Sequence, residues 1–68
     1  MKKLKRIVED ALEEPIVSER LLFKDYDNWD SLTGMVLMDK IEITFNLSLS
    51  VEELERMSFS ELEKQIKL

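Results

Sequence analysis

One proline, Pro15, and one glycine, Gly34, are the sole residues of their kinds in 68 positions, and this scarcity constrains the fold more than any other feature. Tight hairpins need residues that accept positive φ, and turns draw heavily on proline, so a chain with one of each has little material for a sheet of short strands. Helices are the default. The hydrophobic share of 44% is too high for a disordered tail, and the length suits one small domain over residues 1–68 with a modest core.

Leu4, Ile7, Val8, Ala11 and Leu12 repeat at the spacing of one helical face. This first helix should stop near Glu14, because Pro15 disfavours helical geometry in the residue before it and cannot donate to the helix ladder. The following stretch of about fifteen residues carries Ile16, Val17, Leu21, Leu22, Phe23, Tyr26 and Trp29. A solvated linker does not hold so many large apolar groups, so the connection is expected to cross the helices and pack onto them, with a turn of helix around Arg20 to Phe23. Trp29 reads most simply as a core plug.

From Asp30 to Phe45 the pattern is helical but its apolar residues do not share one face. Gly34, Leu37, Met38, Ile41 and Phe45 gather on one side, which reads as core. Roughly opposite lie Leu32, Met35, Val36 and Ile43, with Asp39 and Glu42 among them. A helix that merely completes a small core needs one apolar stripe, so the second one reads as a surface for partners. The plain alternative is that Met35 and Met38 are packing residues and Glu42 solvates its face.

Beyond Phe45 a loop from Asn46 to Leu49 offers Leu47 and Leu49 as anchors. Two capping boxes follow, Ser50 with Glu53 and Ser58 with Glu61, each placing a hydroxyl and a carboxylate where a helix start leaves amides unpaired. They open a short third helix with Val51, Leu54 and Met57 inward and a last helix with Phe59, Leu62 and Ile66 inward. The expected fold is all-α: a small four-helix bundle with a long first loop and a short third helix.

The formal net charge is −5, yet Lys2, Lys3, Lys5 and Arg6 hold four of the ten basic residues. Two readings fit that cluster, a membrane or RNA contact or the start of a regular amphipathic helix, and the second is the simpler. From residue 25 to 55, Asp25, Asp27, Asp30, Asp39, Glu42, Glu52, Glu53 and Glu55 face Lys40 alone. Such a surface repels phosphate backbones and steers basic proteins toward it, which argues against nucleic acid as a partner. Absence of Cys and His removes thiol nucleophiles, imidazole bases, disulfides and the usual zinc ligands, so no catalytic or metal constellation is expected. No apolar run reaches signal-peptide or membrane-span length, and a cytoplasmic monomer is the expectation.

Ser31 differs from the two capping serines. Its i+3 residue is Gly34, so no capping box explains it. Either Asp30 or Ser31 is a plain N-cap, or the Ser31 hydroxyl carries a group, and a phosphate there would meet the positive end of the helix dipole. Spacing leaves both readings open.

The run Asp30-Ser31-Leu32, opening the second of four helices in a short acidic chain without cysteine, resembles the acyl carrier protein family, and the resemblance extends over nearly all 68 residues. It implies that Ser31 receives 4′-phosphopantetheine from coenzyme A through a phosphopantetheinyl transferase, and that the arm's thiol then holds acyl groups as thioesters. By the same resemblance the protein is a substrate and not an enzyme. Asp30 positions the Ser31 hydroxyl or the transferase metal; Leu32, Met35 and Val36 offer apolar docking contacts; and Asp39 and Glu42 steer basic patches of loading and acyl-transfer enzymes. The core is expected to open between helices to shelter an acyl chain. Thr33, Gly34, Val36 and Ile43 stand where fatty-acid carriers often have acids or small polar groups, and Trp29 before the aspartate is closer to specialised carriers, aminoacyl or peptidyl ones among them. An unmodified helical adaptor that binds another protein through the outer stripe is the alternative of a different class.

Overall fold

The computed structural model describes residues 2–67. Among them lie four α-helices: α1, Lys2–Leu12; α2, Ser31–Phe45; α3, Val51–Glu55; and α4, Phe59–Lys67. A 3-10 turn over Phe23–Asp25 interrupts the long connection between α1 and α2. None of these helices is long and apolar enough to cross a membrane.

The core forms where the apolar periodicities converge. Leu4, Val8 and Leu12 of α1, Leu37 and Ile41 of α2, Leu54 of α3 and Leu62 of α4 are wholly buried. Ile7, Ala11, Met38, Phe45, Met57 and Ile66 pack around them, half-buried. In α2 this is the side carrying Gly34, so that helix turns the expected stripe inward. α1 ends at Leu12, two residues before Glu14, because Glu13 takes a left-handed conformation (φ 57°) while its N–H still bonds Glu9 O at 2.8 Å. The Glu9 carboxylate then accepts the Ile16 N–H at 2.9 Å and fixes the exit of the chain past Pro15.

The connection packs onto the helices as expected, with Phe23 wholly buried and Tyr26 nearly so. Its helical turn lies at Phe23–Asp25, further along than the expected Arg20 to Phe23. The reason is non-local: Phe23 N–H bonds Met57 O at 2.8 Å, Leu22 and Ser58 form an isolated antiparallel bridge, and Ser60 N–H bonds Glu19 O at 2.9 Å. These bonds pin residues 19, 22 and 23 against the corner between α3 and α4, while residues 19–20 form a separate turn closed by the Leu21 N–H on Ser18 O at 3.3 Å. Val17 is a further correction. It is 72% exposed, since the same stretch presents its other side to the core.

Both capping boxes form. Ser50 Oγ accepts the Glu53 N–H and Glu53 Oε1 accepts the Ser50 N–H, each at 3.1 Å. Ser58 and Glu61 repeat the pattern at 3.3 and 3.1 Å, and here the serine is itself buried. Leu49 is buried and Leu47 half-buried, as their anchoring role requires. Asn46, left-handed at φ 56°, ends α2 with its N–H on Glu42 O, a position asparagine tolerates better than most residues.

Candidate functional site

The start of α2 separates two tasks that the sequence left joined. Asp30 is the N-cap: its backbone is extended (φ −151°, ψ 179°) and its Oδ1 accepts the Thr33 N–H at 2.7 Å. That bond, with help from the Leu32 amide, holds the Asp30 carboxyl below the usual carboxylate range. Ser31 is therefore the first helical residue and not the cap. Its side chain is exposed, and its hydroxyl has no hydrogen-bond partner among the described residues.

The backbone leading into this point is tightly held. Asn28 N–H bonds Glu14 Oε2 at 2.8 Å, while Asn28 Nδ2 donates to Leu12 O at 2.9 Å and Glu13 O at 3.4 Å. Thr33 Oγ1 donates to Asn28 O at 3.3 Å, closing a ring of bonds around Trp29 and Asp30. Asn28 and Thr33 are site-building residues that periodicity does not single out. An Asn in a loop is ordinary, and its three acceptors come from the end of α1, which no local pattern places nearby. Trp29 is half-buried, its ring stacked on Phe23 with centroids 6.0 Å apart and planes inclined by 15°. The core-plug reading of Trp29 holds.

The outer face of α2 carries the other candidate residues. Leu32 is 68% exposed, Met35 51% and Val36 41%, and Asp39 and Glu42 are exposed among them. Ile43, on the same stripe, is 83% exposed and extends the apolar surface toward the far end of the helix. Glu42 does not stand wholly free for steering, because its Oε2 accepts the Ser48 hydroxyl at 3.3 Å. Met38 packs against the core, whereas Met35 faces outward. A concavity of about 250 Å³ lies between α1 and α2, lined by Ile7, Asp10, Ala11, Val36 and Lys40. Its nearest α2 residue, Val36, is more than one turn beyond Ser31, so this hollow is not part of the Ser31 site.

Chemically, the arrangement is an exposed, unengaged primary hydroxyl at the positive end of a 15-residue helix, beside an apolar strip with acidic residues set in it. A phosphate ester on Ser31 fits: it would displace no hydrogen bond and meet no buried surface. Compared with known proteins, the chain matches no family model, no curated protein and no solved structure.

Proposed function

We propose that the chain is a carrier domain of the acyl-carrier type, modified on Ser31 by 4′-phosphopantetheine. The observation that supports this reading is the assignment of capping to Asp30, which leaves the Ser31 hydroxyl with no structural task. A serine that merely starts a helix would be expected to cap it, as Ser50 and Ser58 do. Here the serine sits one residue inside, pointing into solvent.

In the loading reaction the chain is the acceptor. Ser31 Oγ forms a bond to the β-phosphorus of coenzyme A, the pyrophosphate bond breaks, adenosine 3′,5′-bisphosphate leaves, and the hydroxyl proton passes to the transferase. Asp30 caps the helix through the Thr33 N–H, which fixes the backbone that carries the nucleophile. Leu32, Met35, Val36 and Ile43 give a transferase or acyl-transfer enzyme an apolar contact, and Asp39 supplies steering charge. When attached, the arm supplies a thiol for acyl groups. The cysteine-free chain offers no competing thiol of its own.

Incubation with coenzyme A, Mg²⁺ and a promiscuous phosphopantetheinyl transferase, followed by intact-mass measurement, tests the proposal. One phosphopantetheine adduct on the native chain and none on Ser31→Ala is the expected result. A chain that stays at its bare polypeptide mass refutes it and leaves an adaptor binding through the outer face of α2.

A further inference from the structure

We propose that Trp29, Gly34 and Val51 close the helix seam beside Ser31, so that the group tethered there rides outside the protein and is a short or polar acyl group, not a long alkyl chain. The inference rests on the carrier reading of Ser31 and gives it a cargo class.

Ser31 and Gly34 are neighbours on the surface of α2, three residues apart. Gly34 is on the buried side and faces α3, so a chain leaving Ser31 toward the core passes over it. That space is already filled. A Cβ placed on Gly34 would lie 2.7 Å from Val51 Cγ1 and 3.1 and 3.2 Å from Trp29 Cζ2 and Cη2. The glycine therefore leaves no opening, because its missing side chain is replaced by a tryptophan ring and a valine methyl. A methylene chain would have to evict one of them.

Neither yields easily. The Trp29 ring stacks on Phe23, which is wholly buried and tied to Met57 through its backbone, and Asn28 fastens the preceding peptide to the end of α1. Val51 is β-branched, with one strongly preferred rotamer in a helix, and it follows directly on the Ser50 capping box. The concavity between α1 and α2 does not replace the seam as a shelter, since it starts more than a turn from Ser31 and is edged by Asp10 and Lys40. The sequence-based expectation that the core opens to house an acyl chain is thus at odds with the packing next to the attachment point.

The chain has no cysteine, so Ser31→Cys creates a unique attachment point that needs no transferase. Disulfide attachment of a methyl or an octyl group through the corresponding methanethiosulfonates, followed by thermal melting and emission from Trp29, the sole tryptophan, tests the closed seam directly. The expected result is the same melting temperature and the same Trp29 emission for both adducts. Combined with Trp29→Ala, which opens the seam, the octyl adduct should melt several degrees above the methyl one; Val51→Ala serves if the tryptophan variant does not fold. An octyl adduct that raises the melting temperature or shifts Trp29 emission in the otherwise unaltered chain overturns the inference. A bare mass in the transferase experiment, with melts insensitive to alkyl length, instead refutes the carrier reading and its cargo while the seam itself stands closed.

Discussion

Asp30 and Tyr26 respond to pH in opposite directions. The Asp30 carboxyl, held low by the Thr33 N–H, is charged in the folded protein at pH values where the unfolded chain has begun to take up a proton. Its contribution to stability is complete above the unfolded value of about 3.9 and is lost as pH falls through the lower folded value. Asp30→Asn keeps a capping oxygen without the titration. Its melting temperature should therefore change less than that of the native protein on acidification below about pH 4. Tyr26 is the reverse case. Burial raises its phenol pKa, and its hydroxyl donates a hydrogen bond to Ser18 O at 3.3 Å that needs the proton in place. Its contribution is present below about pH 10 and is lost as pH rises through the elevated folded value. Tyr26→Phe should flatten the alkaline limb of the melting profile, and tyrosinate absorbance checks the titration itself. Much at this scale was readable from residue order. The outward course of Leu32, Met35, Val36 and Ile43 follows from helical periodicity, as does the inward course of Leu37 and Ile41. Val17 was not readable, because a loop has no period and its facing depends on where Leu22 meets Ser58. The choice between Asp30 and Ser31 as cap turned on one backbone bond to Thr33, which two adjacent cap-forming residues cannot decide.

The helices are set by local chemistry and the loop by distant partners, and substitutions should divide along that line. Ser50→Ala removes a solvent-exposed cap and should cost about 1 kcal/mol, or about 4 to 8 °C in a domain of this size. Ser58→Ala should cost more, because the serine is buried and its loss strands the Glu61 N–H beside the Leu22 bridge. Thermal melting of the two variants side by side checks the order. Gly34→Ala sets two effects against each other. The helix gains about 1 kcal/mol from propensity, while crowding Val51 and Trp29 costs about 1–3 kcal/mol. Because Val51 is stiff, crowding wins and the variant should melt lower than the native chain, with Val51→Ala in the same molecule restoring the loss. Phe23→Ala should be the most damaging of these, at about 3–5 kcal/mol, a large part of the total expected of a small domain. Both capping boxes were legible because a box is contained within four residues. The 3-10 turn was displaced from its expected place because its geometry answers to Met57, far along the chain.

At the scale of the molecule the acidic middle of the chain and the exposed stripe of α2 act together. Under the proposed carrier function, carboxylates within a Debye length of about 8 Å at physiological salt would draw basic partners in, and the apolar residues would decide whether they stay. Transferase rates should fall as ionic strength rises, while Leu32→Asp or Ile43→Asp should lower the rate with little change in melting temperature, since both side chains lie in solvent. A salt-insensitive rate would remove the steering argument. The bridge between Leu22 and Ser58 adds a coupling that the linear order of the helices conceals. Ser58 opens the last helix, Leu22 leads into Phe23, Phe23 supports the Trp29 ring, and Trp29 immediately precedes Asp30 and Ser31. An unbroken line of contacts thus joins the start of α4 to the turn that bears the exposed hydroxyl, although the two are far apart in the sequence.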